Sequence, residues 1–162
     1  MSQAGRSQEK DISFRPVTAA DDGLLFSLYA STRAAELAQV LWSEEQKKAF
    51  VRMQFDAQTR EYAARNPQAT HEIICVGEKP VGRLYLSRKE DAFHILDIIV
   101  MPEHRGAGIG TWVVKKVMAD ATQAGKAMTI YVENFNPSMQ FFERLGFQPA
   151  RTEGIYSLLK FG

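Results

Sequence analysis

The stretch Val100-Met101-Pro102-Glu103-His104-Arg105-Gly106-Ala107-Gly108-Ile109-Gly110-Thr111 joins an apolar strand pattern to a helical one through a turn rich in glycine. Glycine has no Cβ, so a bulky anion can approach the backbone, and the first N–H groups of the following helix have no internal acceptor. With the positive end of the helix dipole, those donors predict a pyrophosphate cradle over Arg105, Gly106, Ala107, Gly108, Ile109, Gly110 and Thr111, and the Arg105 guanidinium can add a charge-assisted bond. A phosphate loop of the Gly-Lys-Ser/Thr kind is excluded, because Gly110 is followed directly by Thr111. A dinucleotide fingerprint is disfavoured, since Thr111 stands where the third glycine is needed and three antiparallel-looking strands precede the turn. A tight turn with no ligand is the plain alternative.

Upstream, residues 12–17 form a short extended pattern around Arg15-Pro16, and Asp21-Asp22 offers N-capping character to a helix carrying Leu24, Leu25, Leu28 and Tyr29. Residues 43–65 continue at loosely helical spacing until Asn66-Pro67. The period then changes, and residues 73–76, 81–86 and 93–100 predict a meander of three strands. Downstream of the turn, Trp112, Val113, Val117, Met118 and Ala121 mark one helical stripe that Gly125 ends. A strand over 129–132, a short helix over 137–145 and two closing strands over 148–152 and 156–159 complete a mixed α/β order.

The 162 residues suit one domain, expected over 12–162, with a loose polar segment at 1–11. Hydrophobic residues make up 45% and charged residues 24%, an ordinary globular composition. Twenty basic side chains against nineteen acidic ones give a net charge of +1, so no nucleic-acid partner is expected. No apolar run approaches the roughly eighteen residues of a membrane span and no secretory leader is apparent, so no membrane association and a cytoplasmic location are expected. The single cysteine, Cys75, excludes an internal disulfide and reads as a buried strand residue.

At Arg105, Gly108 and Gly110 the chain resembles the GCN5-related N-acetyltransferase (GNAT) family, whose signature is Arg or Gln, two residues, Gly, one residue, then Gly or Ala. The resemblance extends to the strand end at 97–103 and to the later Asn136-Pro137 and Glu143-Arg144-Leu145-Gly146-Phe147. It implies an acyl-CoA N-acyltransferase fold: a central, mostly antiparallel sheet of six to seven strands with a V-shaped splay, flanked by about four helices. It implies acetyl-CoA as cosubstrate, no metal, and transfer of acetyl to a primary amine of a small molecule or a protein. A homodimer is left open.

The same resemblance places free backbone groups of Ile98, Ile99 and Val100 against the pantetheine arm and Asn136 beside it, with Asn134 as its rival. His94 falls where family members carry a catalytic base, eleven residues before the motif arginine. An ordinary imidazole suits proton removal near neutral pH. Strand alternation puts His94 on one face with Leu96 and Ile98 unless a bulge intervenes, and puts Asp97, the second candidate base, on the other. Phe142 departs from the pattern, since many members have a tyrosine there to protonate the leaving thiolate. Three resolutions are open: the thiolate leaves unaided or is protonated by water, Tyr131 or Tyr156 substitutes, or the chain is a coenzyme A-binding regulatory module of weak activity. Arg33, Glu36 and Trp42, in the segment joining the first two helical regions, read as solvated side chains although the resemblance places that segment near the acceptor.

Overall fold

The computed structural model describes residues 11–162, so the expected loose segment lies outside the described residues except for Asp11. Among the described residues, seven strands and four α-helices follow one another: β1 (Ile12–Pro16), α1 (Asp22–Leu37), α2 (Glu44–Arg65), β2 (Thr70–Val76), β3 (Lys79–Arg88), β4 (Ala92–Val100), α3 (Ile109–Gln123), β5 (Ala127–Glu133), α4 (Ser138–Arg144), β6 (Gln148–Glu153) and β7 (Tyr156–Phe161). The strands make one sheet in the order β1-β2-β3-β4-β5-β7-β6. All pairs are antiparallel except β4 with β5, which the α3 crossover makes parallel.

Local chemistry sets the helix ends. Ser43 and Gln46 form a reciprocal capping box that starts α2, at 2.9 and 3.1 Å. α1 runs well beyond the apolar residues that mark it in the sequence. Asp21 sits at its N-cap without capping it, because the carboxylate is spent on Arg15 at 2.8 and 2.9 Å and on the Thr18 N–H at 2.8 Å. Gly125 ends α3 in the left-handed conformation (φ 71°) that the sequence pattern calls for.

Each face of the sheet carries its own core. On one face α3 and α4 bury Ile109, Val113, Val117 and Phe142 against Leu86, Ile95, Met128 and Leu159, all apolar. On the other, α1 and α2 bury Leu25, Leu28, Tyr29, Val51 and Phe55 against Ile73, Cys75 and Ile99. β3 and β4 come unusually close at Gly82, where a Cβ would collide with the Ile99 carbonyl oxygen.

Candidate active site

β4 and β5 pair only from Ala92↔Ala127 to Ile95↔Ile130 and then diverge, which opens the sheet into a V. At the point of divergence β4 carries a bulge: Ile95 opposes Leu86 and Asp97 opposes Tyr85, so Leu96 is extra. The bulge reverses the expected phase. Ile98 joins the α3 core, whereas His94 and Asp97 both face the α1/α2 side, where Ser87 and Tyr85 are their register partners. The expectation that His94 shares a face with Ile98 and opposes Asp97 fails for that reason.

Beyond the bulge the edge of β4 facing β5 has no strand partner. The Met101 N–H donates to the Val81 carbonyl at 2.7 Å, and the Ile99 carbonyl is turned to Gly82, so these groups belong to β3. By alternation the main-chain groups of Ile98 and Val100 point into the V. The three residues expected to serve a ligand with free backbone thus divide. Ile98 presents its groups, Val100 presents its N–H while its carbonyl accepts from Arg105 Nε at 2.9 Å, and Ile99 is turned away.

The glycine turn follows at once. Gly106 and Gly108 hold φ of 82° and 83°, a region that residues with a Cβ avoid. Gly108 is the N-cap of α3, and its carbonyl receives the first helical bond, from the Trp112 N–H at 2.9 Å. The N–H groups of Ile109, Gly110 and Thr111 therefore lack helical acceptors and open into a cavity of about 460 Å³ that Val100, His104 and Phe141 also line. The Ile109 side chain is buried and Ala107 packs on the core, so these two offer only main chain. Arg105 does not aim its guanidinium at the cradle; it ties Val100 to Ser31 of α1, with Nη2 donating to Oγ at 3.3 Å.

His94 Nδ1 lies 2.7 Å from Thr129 Oγ1, and its ring meets that of Tyr131 edge-on at 5.5 Å. Burial, with a smaller push from Lys89, pulls its pKa down to about 4, so the ordinary value assumed from sequence does not hold here. The Asp97 carboxylate is bound to the Arg83 guanidinium, which is 2% exposed and also donates to Gln58 Oε1 at 2.9 Å. Tyr62 donates to the Leu96 carbonyl at 3.1 Å, and burial followed by the Asp97 charge raises its pKa to about 12. His71 stacks on Tyr85 at 4.2 Å with Nε2 buried and without a hydrogen-bond partner among the described residues, and burial lowers its pKa to about 4.

Asn136 is occupied as a helix entry: Oδ1 accepts from the Ser138 N–H at 2.9 Å and its hydroxyl at 2.8 Å. Asn134 is engaged with Gly154 and Ser157. Phe142 is a core residue, packed edge-on against Phe147 at 5.3 Å. Tyr131 is exposed and its hydroxyl accepts from Arg151 at 3.0 Å; Tyr156 is exposed on the same face of the β5–β7 pair. Sequence reasoning passed over Arg83, Gln58, Tyr62 and Thr129. A signal existed for one of them, since Arg83 is a charge inside the apolar run Val81 to Leu86. Among the described residues no cluster of three or more His, Cys, Asp or Glu is placed to hold a metal, and no helix is long and apolar enough to cross a membrane.

A mixed sheet splayed at its one parallel pair, with a helix start opening beside the splay, defines an acyl-CoA N-acyltransferase fold. PaiA N-acetyltransferase from Thermoplasma acidophilum, solved in complex with coenzyme A, shares it at a TM-score of 0.70 and 17% identity, over 92% of this chain and 97% of its own. An acetyltransferase from Thermus thermophilus does so at 0.66 and 22%, over 93% and 96%. An Arabidopsis thaliana protein in complex with the bisubstrate analogue CoA-Ac-MVNAL does so at 0.60 and 17%, over 94% and 99%. No curated protein matches the sequence closely. The family model described as acetyltransferase (GNAT) family matches residues 33–147, well over half of the chain, which therefore belongs to that family.

Proposed function

We propose that this chain transfers acetyl from acetyl-CoA to a primary amine of a small molecule or peptide by direct attack within a ternary complex. One observation carries the reading. The free edge of β4 runs from the cradle at Ile109, Gly110 and Thr111 to the bulge that sets His94 and Asp97 on the open face of the V. An anion gripped at the turn and an extended arm paired to Ile98 and Val100 would lead to that bulge. Acetyl-CoA supplies the activated thioester carbonyl.

In the transfer the amine nitrogen bonds to the carbonyl carbon, the carbon–sulfur bond breaks, one proton leaves nitrogen and one reaches the departing thiolate. His94 is the first proton acceptor. In the tautomer that donates Nδ1–H to Thr129 Oγ1, Nε2 keeps a lone pair. A base this weak accepts the proton late, once attack has made the nitrogen acidic. Asp97 is the second candidate, restrained by Arg83. The oxyanion would meet a free main-chain N–H on the open edge of β4. Phe142 has no proton to give, so the thiolate leaves unaided or takes its proton from water, with Tyr131 and Tyr156 as the exposed alternatives. The burial of Phe142 also favours a second reading, a coenzyme A-binding module of weak activity.

Free-thiol release from acetyl-CoA across a panel of primary amines separates the two. Turnover that falls on the order of 100-fold in His94→Gln supports the transferase. Thermal stabilisation by coenzyme A with no thiol release from any amine supports the module.

A further inference from the structure

Arg15, Arg52 and Arg83, on the α1/α2 side of the sheet, are each engaged with a carboxylate at close range. Arg15 grips Asp21 at 2.8 and 2.9 Å, Arg52 grips Asp22 at 2.9 and 3.0 Å, and Arg83 holds Asp97 and Gln58. Arg33 differs. It follows Tyr29 by one helical turn and so extends the inward stripe of α1, and its side chain is only 32% exposed. Among the described residues its carboxylate partner is Glu36, at 3.6 Å and itself 65% exposed.

Its fork is nevertheless held in place. Nε and Nη2 donate to the Tyr29 hydroxyl at 3.3 and 3.2 Å, and the guanidinium lies over the Tyr29 ring at 5.2 Å from its centroid. Tyr29 is 4% exposed, which makes it a rigid support. Ser31, two residues before Arg33, is tied through Arg105 to the Val100 carbonyl by bonds of 3.3 and 2.9 Å, so this end of α1 borders the mouth of the V, on the side of the sheet that His94 and Asp97 face. The carboxylate inside that mouth, Asp97, is already committed to Arg83. Glu133 and Glu153, the register partners of Tyr156, are exposed, and Glu153 is paired with Arg151 at 3.2 Å.

A half-buried, pre-oriented guanidinium with spare donors and a loose counter-ion is suited to bind a planar oxyanion through two parallel hydrogen bonds. We propose that Arg33, supported by Tyr29 at the end of α1 that borders the open edge of β4, is an anion subsite, so that the acceptor is an amine that also carries a carboxylate close to its amino group. This rests on the transferase reading above. Acceptors whose further charges are all positive are disfavoured, because they would set a cation against Arg33.

The test is thiol release from acetyl-CoA with amino acids of acidic, polar and apolar side chain, each beside the amine left when its α-carboxyl group is removed. Wild type is expected to show kcat/KM at least about tenfold higher for the best amino acid than for its decarboxylated partner. Arg33→Gln is expected to erase that ratio by lowering only the amino-acid rate, and Arg33→Lys to restore part of it, with circular dichroism confirming that both variants fold. Equal or reversed preference in wild type, or an equal loss for both members of a pair in Arg33→Gln, overturns the subsite while the transferase reading stands. Thiol release with none of the amines overturns both.

Discussion

The two faces of the sheet are built from different materials. Toward α3 and α4 the interior is apolar but for the buried Ser157, and Val113, Val114, Met128 and Leu159 are fully excluded from solvent. Toward α1 and α2 the interior also takes in Arg83, Asp97, Gln58, Tyr62 and His71, groups that cost free energy to bury unless they are paired. The first face shapes the helix whose start opens into the glycine-turn cavity, where Ile109 and Ala107 offer main chain alone. The second face holds hydrogen-bonded polar side chains beside the V. Under the proposed function, the difference divides binding from discrimination between the two sides, with the β4 bulge as their junction.

The largest expected effect sets one face against the other. Asp97→Ala leaves the Arg83 guanidinium, 2% exposed, without its carboxylate and should lower stability by about 3–5 kcal/mol in urea unfolding. Replacing both partners with apolar residues, Arg83→Met with Asp97→Leu, should recover most of that loss, an option that has no counterpart for Leu159→Ala at about 2–5 kcal/mol. A loss under about 1 kcal/mol for Asp97→Ala would erase the distinction between the faces.

A smaller effect belongs to the cradle. Gly108→Val forces a β-branched residue to a φ of 83°, at about 1–2 kcal/mol of strain or more, and should weaken coenzyme A binding by at least about tenfold in calorimetry while far-ultraviolet circular dichroism is kept. Unchanged affinity would remove the turn from the binding site.

The smallest effect concerns the histidines of the polar face. Unfolded imidazole titrates near 6.5 and folded His71 and His94 near 4, so the unfolded chain binds more protons between those values. Their stabilising contribution is complete above pH 6.5 and declines as pH falls toward 4. His71→Phe, which keeps the stack on Tyr85, should make the fall in unfolding midpoint between pH 7 and pH 5 shallower. An identical fall in the variant would show that His71 does not titrate with folding.

Most of the architecture was legible because strand and helix periods are local. The meander, the α3 crossover and the closing hairpin all appear within a few residues of their expected bounds. The glycines of the turn were legible for the same reason, since φ is a property of one residue. His94 and Asp97 were legible as candidates, but their relation was not. A bulge of one residue at Leu96 shifts the phase of everything after it, and no local pattern announces it. Arg33 read as solvated because its spacing from Tyr29 has meaning only once Tyr29 is known to face inward.

The amino-acid order by itself determined the family signature, the element sequence and a glycine-rich turn at a helix start, because each depends on residue type and short-range spacing. Only the tertiary structure decided which strand edge is left open, which face His94 shares with Asp97, and which arginine is held half-buried against a buried tyrosine. Those depend on pairing between residues distant along the chain, such as Arg83 with Asp97 and His94 with Thr129, and on burial that shifts a proton equilibrium only after the sheet has closed around it.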